Sequence, residues 1–285
     1  MTLPRSLRQG KEARMKIPCD LHLHSYCSDG ELSPGAVIEL AAKAKLDVVS
    51  LTDHDNVRGV AEAQSAAEAL KIKLIPGIEI SSLLGLEVHI LGYNVPYNDK
   101  AFIEEIENIL DLRKQRNEEI VRKLKAQGIK LRTGELFEDG VKGRQYIATL
   151  LYEQGYVRSR AEAFDKYIGA NKSCFVKTHR MPSADAVKLI LKYGGVPVIA
   201  HPMRYAGRVA LAGFVDELVK AGLMGLEFFY PNQRYEDIKF LKEIAEKHSL
   251  ILTGGSDFHS AEYGSPIGSV GAYLDEKAAR VLKLV

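Results

Sequence analysis

Ile17-Pro-Cys-Asp-Leu-His-Leu-His24 is the stretch that decides the fold predicted for this chain. It opens with the first of seven short runs rich in β-branched and apolar residues, which are typical of buried strands. These runs are residues 17–21, 47–51, 72–76, 86–91, 196–200, 225–229 and 250–253. Helical patterns separate several of them, and one begins at Ser33-Pro34, where serine can cap and proline can occupy the first turn. Strands that alternate with helices predict an α/β fold of βα units, and seven strands favour a barrel over an open sheet.

The alternation stops between about residues 98 and 180. This interval opens with a charged amphipathic run, Lys100 to Gln127, and continues with two shorter helical patterns at residues 145–154 and 159–167. We therefore expect a small helical insertion domain at residues 99–179. It would separate a first half of the βα domain, residues 16–98, from a second half, residues 180–285.

Composition limits the possible functions. The 285 residues include 39 basic and 37 acidic side chains, so a net charge of +2 gives little reason to expect a nucleic-acid coat protein. The three cysteines lack CxxC spacing, which favours a reducing compartment over a disulfide framework. Neither a signal-peptide apolar region nor a run of about 18 apolar residues is present. We expect a cytoplasmic protein with no membrane association and no obligate protein partner.

The placement of the histidines is the most informative feature of the sequence. His22 and His24 are two residues apart on a predicted strand, so their side chains project from the same face. Asp29 lies in the turn that follows the first run, and His89 lies inside the fourth run. The remaining histidines and acids come just after other runs: His54, Glu79, His201, Asp257 and His259. Residues just past the carboxyl ends of parallel strands converge on one rim, so we expect all nine side chains to meet there.

Taken singly, each of these residues has an ordinary explanation. A His-x-His pair is commonly a surface pair, Asp29 fits a turn, and a histidine before proline, such as His201, can simply mark a turn. Gathered in one place, the like-charged members of the set would repel one another, because two like charges about 4 Å apart cost roughly 4 kcal/mol at an effective dielectric near 20. Divalent cations remove this cost. Imidazole and carboxylate suit zinc, manganese and iron, and nine ligands are too many for one ion.

The ordered set of motifs resembles the polymerase-and-histidinol-phosphatase (PHP) family of metallophosphoesterases. The motifs are Asp20-Leu-His-Leu-His24, Ser28-Asp29-Gly30, Thr52-Asp-His-Asp55, Pro76-Gly-Ile-Glu-Ile-Ser81, His89, Ala200-His-Pro202 and Gly254-Gly-Ser-Asp-Phe-His259. The resemblance implies a distorted (β/α)7 barrel that holds two or three divalent ions, usually manganese, iron or zinc. It also implies that the nine side chains named above are the metal ligands, with Glu79 and Asp257 bridging ions.

The predicted insertion resembles a narrower group within this family. Members that hydrolyse nucleoside 3′,5′-bisphosphates, 5′-nucleotides or short RNA from the 5′ end carry a helical insert at this point. They commonly contain Gly-Arg-x-His-Ile-Ala, which here reads Gly143-Arg-Gln-Tyr-Ile-Ala148. The resemblance implies that Arg144 holds a phosphate and that Tyr146, in place of the usual histidine, contacts the substrate.

The expected chemistry follows from the charge of the site. Three divalent ions against three carboxylates leave about +3, which favours a phosphate monoester dianion. Metal-activated water would attack phosphorus, with Asp257 orienting the water and Arg144 holding the phosphoryl group. The sequence leaves open whether His201 or metal-bound water protonates the leaving oxygen.

Three functions remain open from the sequence. The leading one is a phosphatase or 5′-3′ exonuclease that acts on nucleotides or short single-stranded RNA. The second is a small-metabolite phosphatase, for example for histidinol phosphate, and the third is a non-catalytic metal-binding interaction domain. The basic residues of the long amphipathic run, including Arg113, Arg116 and Arg122, are interpreted as a solvated helix face paired with Glu118 and Glu119, or else as contacts to a nucleic-acid backbone.

Overall fold

The computed structural model describes residues 16–137, 142–177, 180–262 and 264–285. The strands are β1 Ile17–Leu23, β2 Val48–Leu51, β3 Lys73–Leu74, β4 Gly77–Leu84, β5 Leu86–Tyr93, β6 Val196–Ile199, β7 Gly225–Phe229, β8 Ile251–Gly254 and β9 Tyr273–Leu274. The α-helices are α1 Pro34–Lys43, α2 Val60–Leu70, α3 Lys100–Ala126, α4 Arg144–Glu153, α5 Arg160–Ala163, α6 Ser183–Lys192, α7 Arg208–Ala221, α8 Tyr235–His248 and α9 Glu276–Val281. Short 3₁₀ turns span Gly134–Phe137 and Pro202–Arg204, and a π-helical turn spans Phe164–Ile168.

The described strands form two sheets. One has the order β3-β2-β1-β9, in which β1, β2 and β3 are parallel. The other has the order β4-β5-β6-β7-β8, in which β6, β7 and β8 are parallel and β5 is antiparallel to both of its neighbours. Isolated bridges, Leu23 with Phe258 and His54 with Glu79, join the two sheets. The α/β prediction is confirmed, whereas the described strands do not close into a single barrel sheet.

All seven predicted runs overlap strands, but two strands were missed. The short β9 carries little pattern, and β4 was missed because the polar residues Glu79, Ser81 and Ser82 interrupt its apolar sequence. These three residues are buried. Strand β4 forms a tight hairpin with β5 through Gly85, whose φ of 71° lies in the left-handed region that glycine tolerates. This hairpin is what makes the second sheet mixed rather than parallel.

Most residues of the strands are buried, as expected where helices or another sheet cover both faces. Every residue of β2 and β6 is buried. Helix α1 begins as predicted, with Ser33 Oγ accepting a hydrogen bond from the backbone N–H of Ala36 at 3.1 Å. The rigid strands therefore hold the residues at their ends in fixed positions.

Helix α3 links two hydrophobic cores. Its first half contributes Phe102 and Ile106 to the main core, and its second half contributes Ile120 and Leu124 to a separate cluster built with α4 and the segments after it. The separate cluster agrees with a small helical unit, and the division at residues 99 and 179 stays a prediction. Among the described residues, no helix combines the length and the apolar composition needed to cross a bilayer.

Candidate metal centre

The nine predicted donors lie together around one buried centre. Six of them line a cavity of 760 Å³, namely Asp29, His54, His89, His201, Asp257 and His259. The other three, His22, His24 and Glu79, are fully buried behind them. His22 lies within β1, Glu79 within β4 and His89 within β5, whereas the sequence had placed Glu79 just past a strand.

The first group of donors consists of His22, His24, Glu79 and Asp257. Nε2 of His22 and Nε2 of His24 each lie 3.3 Å from Oε2 of Glu79. The same two nitrogens lie 3.4 and 3.3 Å from Oδ1 of Asp257. All four donor atoms are within 4.8 Å of one another, so a single divalent cation can contact them all.

A second group forms around Asp29, on the cavity side. Its Oδ1 lies 3.3 Å from Nε2 of His259, and its Oδ2 lies 3.8 Å from Nε2 of His54. His24 completes this group, with its Nδ1 3.9 Å from Asp29 Oδ1. Asp29, which considered singly would be an ordinary turn residue, thus faces three imidazoles.

The third group shares Glu79 with the first. Oε2 of Glu79 lies 2.9 Å from Nδ1 of His54, and Oε1 lies 2.9 Å from Nδ1 of His89. Nε2 of His201 is 3.0 Å from the same Oε1, next to this group. Glu79 therefore faces five imidazoles, which makes it the central residue of the centre.

The arrangement of the donor atoms suits divalent cations better than it suits hydrogen bonds among the donor atoms themselves. Five of them are buried without a hydrogen bond: His22 Nε2, His24 Nε2, Asp29 Oδ1, His54 Nδ1 and Glu79 Oε2. Buried polar atoms nearly always have a partner, and these unpaired atoms converge on shared points. A neutral imidazole offers only one lone pair, so His24 and His54, which belong to two groups each, can bind only one ion at a time.

Outer hydrogen bonds orient two of the rings. Nδ1 of His22 bonds Oε1 of Glu227 at 3.0 Å, and Nδ1 of His259 bonds the backbone carbonyl of Asp257 at 2.8 Å. These bonds direct Nε2 of each ring into the centre. Glu227 also accepts a 2.6 Å hydrogen bond from the backbone N–H of His201. Sequence reasoning missed Glu227, although a lone acid within the apolar strand β7 was an available signal.

Two further aspartates hold the loops that carry the donors. Asp53 accepts hydrogen bonds from Ser25 Oγ at 2.7 Å and from Ser28 Oγ at 2.6 Å. Asp20 accepts from the backbone N–H groups of Ser256 at 2.9 Å and Gly268 at 2.8 Å. Asp20 was not singled out from the sequence. Both carboxylates are buried. Asp53 anchors the loop after β1, and Asp20 anchors the loop after β8.

Burial and the imidazole neighbours together set the charges of the centre. Burial would raise the pKa of Glu79, but His54 and His22 hold that pKa well below its usual range. Burial would likewise lower the pKa of His89, yet the adjacent Glu79 carboxylate raises it to about 9. Without metal, Glu79 is thus ionised and the His89 ring protonated, and an incoming cation that bound this ring would displace its proton.

Backbone strain coincides with the centre. His201 has a φ of 25°, Asp257 a φ of 54° and Asp55 a φ of 50°, all in the left-handed region. Such conformations cost roughly 1–3 kcal/mol each and cluster at functional sites. The fold therefore stabilises these residues in place at an energetic cost.

Several positively charged side chains line the cavity beside the donors. Arg144 is the first residue of α4, one residue before the predicted helical pattern, and its Nη2 lies 3.0 Å from Oε2 of Glu87. Tyr146 also lines the cavity, with the ammonium of Lys142 5.6 Å from its ring centroid. Sequence reasoning missed Arg204, whose Nη1 lies 3.2 Å from Oδ2 of Asp257.

The interpretation of α3 as a solvated basic face was wrong for two residues. Arg113 and Arg116 are only 6% and 4% exposed, and both line the cavity. The expectation is correct for Arg122, which is exposed and pairs with Glu119 at 2.6 Å, and the lysines at 114 and 125 of the same helix are exposed as well. The reason is tertiary: Arg113 and Arg116 line cavities inside the molecule, and Nη2 of Arg113 donates to Oγ of Ser81 of β4 at 3.0 Å.

A mixed α/β fold with a histidine and carboxylate centre at its strand ends, open to a cavity lined by arginines, defines a metal-dependent hydrolase of anionic esters. The PHP domain model matches residues 20–156. A 5′-3′ exoribonuclease of Haemophilus influenzae is 34% identical over 84% of this chain and 89% of its own. A 3′,5′-nucleoside bisphosphate phosphatase of Chromobacterium violaceum is 32% identical over 87% of this chain and 90% of its own.

Solved structures agree with these relatives. A candidate metal-dependent phosphoesterase from Bifidobacterium adolescentis has a TM-score of 0.79 and 26% identity, over 93% of this chain and 95% of its own. This chain belongs to the PHP family, and it is a metal-dependent phosphoesterase. The family resemblance found in the sequence is confirmed.

Proposed function

We propose that this chain hydrolyses phosphate monoesters of nucleotides, with nucleoside 3′,5′-bisphosphates, AMP and the 5′ ends of short RNA as its substrates. The observation that carries this proposal is that the donor centre and Arg144 face one cavity, which can receive a phosphate between them. The names of the two relatives support the nucleotide and RNA substrates.

We further propose that the centre holds two or three divalent ions, manganese, iron or zinc. The ligands would be the nine side chains His22, His24, Asp29, His54, Glu79, His89, His201, Asp257 and His259. Three overlapping groups support up to three ions, and the sharing of two imidazoles supports two as the lower number. Such ions would lower the pKa of water toward about 7 and stabilise charge on phosphoryl oxygens.

We propose separate roles for Asp257 and His201 in the hydrolysis step. Asp257 turns Oδ1 toward the donor centre, while its Oδ2 accepts hydrogen bonds from Tyr230 at 2.9 Å and Arg204 at 3.2 Å. Held at both oxygens, Asp257 is suited to orient the attacking water. His201 is 4% exposed and directs Nε2 at Glu79, a position that favours a role as a metal ligand. Protonation of the leaving oxygen by water is therefore the simpler route.

Arg144 and Tyr146 are proposed to bind the substrate. The guanidinium of Arg144 is partly exposed in the cavity, so it can exchange its contact with Glu87 for a phosphoryl oxygen. The half-buried ring of Tyr146 offers a face on which a base can stack.

A turnover screen tests the function. Manganese-loaded protein would be assayed with adenosine 3′,5′-bisphosphate, AMP, short 5′-phosphorylated RNA and histidinol phosphate. We expect phosphate release from at least one nucleotide substrate and its loss after chelation. Turnover of histidinol phosphate alone would make the chain a small-metabolite phosphatase, and bound metal without turnover of any ester would favour an interaction domain.

A further inference from the structure

Three buried arginines stand between the catalytic cavity and a second cavity. We define the arginine wall as Arg113 and Arg116 of α3 together with Arg180, whose side chain is 9% exposed. All three line the catalytic cavity of 760 Å³ and also the second cavity of 440 Å³. Guanidinium groups in this position can be reached by a ligand that extends from the metal centre.

Among the described residues, two carboxylates form ion pairs with the three guanidinium groups of the wall. Asp55 Oδ2 lies 3.3 Å from Nε of Arg113, and Glu87 pairs with Arg180. Glu87 also pairs with Arg144, so one carboxylate serves two arginines. The wall and Arg144 therefore carry more positive charge than these two acids neutralise.

Arg116 is the clearest case of this imbalance. Within the part of the chain that the structure describes, its Nε and Nη2 both donate to the neutral amide oxygen of Asn117, at 3.2 and 3.0 Å. Within the described residues, no carboxylate lies within ion-pair distance of this buried guanidinium. Burial, followed by the positive charges of Arg113 and Arg180, lowers the pKa of Arg116 to about 8. A buried cation without a counterion is costly, and a bound anion would remove that cost.

Glu87 links the arginine wall to the metal centre. Glu87, which pairs with Arg180, also lies 3.2 Å from Nε2 of His89, and Nδ1 of that ring faces Glu79. An anion held by the wall would therefore lie near the metal centre but would be bound by different residues. Planar guanidinium groups suit phosphate because they can donate two parallel hydrogen bonds.

We propose that the arginine wall binds a second phosphate group of the substrate, separate from the phosphate that is hydrolysed at the metal centre. This inference rests on the proposed nucleotide substrate and deepens it. The ligand class is a nucleotide with two phosphate groups. The second group is either a terminal phosphate on the same nucleotide or the phosphodiester that leads to the next one.

The test compares substrates that differ only in the second phosphate. For wild-type protein and Arg116→Gln, kcat/KM would be measured with adenosine 3′,5′-bisphosphate, a 5′-phosphorylated dinucleotide and AMP. We expect Arg116→Gln to reduce the preference for a two-phosphate substrate over AMP by about tenfold or more, because it removes a charge-assisted hydrogen bond. Arg122→Gln, an exposed position on the same helix, is the matched control and keeps the wild-type preference.

Adenosine 3′,5′-bisphosphate and the 5′-phosphorylated dinucleotide together identify the kind of second phosphate that the wall binds. A reduced preference for the bisphosphate alone assigns the wall to a terminal phosphate, and a reduced preference for the dinucleotide alone assigns it to a phosphodiester. Thermal unfolding checks that Arg116→Gln is folded. Arg180→Gln repeats the test if it is not.

Two outcomes would count against the proposals, and they are separable. Hydrolysis of AMP with an unchanged preference in folded wall variants overturns the arginine wall but keeps the proposed function. Absence of any nucleotide hydrolysis overturns the proposed function, and the wall is then judged by calorimetric titration of the metal-loaded protein with adenosine 3′,5′-bisphosphate. Binding at least about tenfold weaker in Arg116→Gln supports the wall, and equal binding overturns it.

Discussion

The metal centre and the arginine wall are neighbouring regions that both bury charged side chains, but they differ in how those charges are paired. At the metal centre, carboxylates and imidazoles lie within about 4 Å of one another and compensate part of each other's charge. At the arginine wall, Arg116 has no acidic partner among the described residues, and its neighbours are also arginines. The first region has unpaired lone pairs that suit cations, and the second has excess positive charge that suits an anion.

The two regions also differ in what holds them. The donors of the metal centre come from strands or from the first residues after them, and aspartates such as Asp20 and Asp53 fix the intervening loops. The arginine wall comes from the middle of α3 and from the segment before α6. We therefore expect substitutions in the metal centre to affect metal binding and turnover strongly. Substitutions among the arginines should affect substrate recognition more moderately.

The largest effect is expected for Glu79→Gln. Its carboxylate faces five imidazoles, so the loss of its charge should lower metal affinity and turnover by more than about 100-fold. Glu246→Gln, on the exposed face of α8, is the matched control. The measurement is metal content by elemental mass spectrometry together with kcat. A Glu79→Gln protein with the metal content of wild type would show that this residue is not a ligand.

The pH dependence of metal binding sharpens the difference in charge. Glu79 raises the pKa of His89 to about 9, and Asp29 raises the pKa of His259 to about 10, in both cases against the effect of burial. Near neutral pH these rings are protonated without metal and must lose their protons to bind it. Apparent metal affinity should therefore rise with pH, by about tenfold per unit for each proton released.

Calorimetry checks this directly. Metal titrations in two buffers of different protonation enthalpy give the number of protons released on binding. We expect a net release near neutral pH. Binding that released no protons would mean that these rings are either neutral in the metal-free protein or not ligands.

An intermediate effect is expected for Glu227→Gln. The variant keeps one acceptor oxygen and replaces the other with an NH2 group, so either His22 Nδ1 or the backbone N–H of His201 loses its acceptor. It also removes the negative charge that makes the His22 ring a better ligand. Metal affinity should fall by about tenfold, with little change in secondary structure. A competition titration with a chelator gives the affinity. Unchanged affinity would limit Glu227 to a packing role.

Arg144→Ala should have the smallest effect on the metal and a clear one on the substrate. Loss of a charge-assisted contact should raise KM for a nucleotide by about tenfold while metal content stays at the wild-type value. Arg122→Ala is the control, because Arg122 is exposed and pairs only with Glu119 among the described residues. Steady-state kinetics with AMP gives the answer. A loss of metal from Arg144→Ala would remove the distinction drawn between the two regions.

The two regions were not equally predictable from sequence. The donors were found because histidines at strand ends follow a local rule, and parallel strands bring distant ends together. Glu227 escaped because its role depends on a partner 205 residues away. Arg113 and Arg116 were assigned to solvent because a charged amphipathic pattern looks the same whether water or a cavity covers its polar face.

The fold was predicted in the same uneven way. Alternating strands and helices gave the α/β class, and helical periodicity gave α3 to within a residue. The β4–β5 hairpin was not foreseen, because Glu79 and Ser81 of β4 are polar residues that face the interior. Barrel closure depends on how strand edges pair, which a single sequence does not encode locally.

Anomalous diffraction from crystals of manganese-loaded protein tests the central claim most directly. The account predicts two or three anomalous peaks, with one in contact with His22, His24, Glu79 and Asp257 at roughly 2.0–2.3 Å. Manganese bound elsewhere, with no peak among these four side chains, would contradict it.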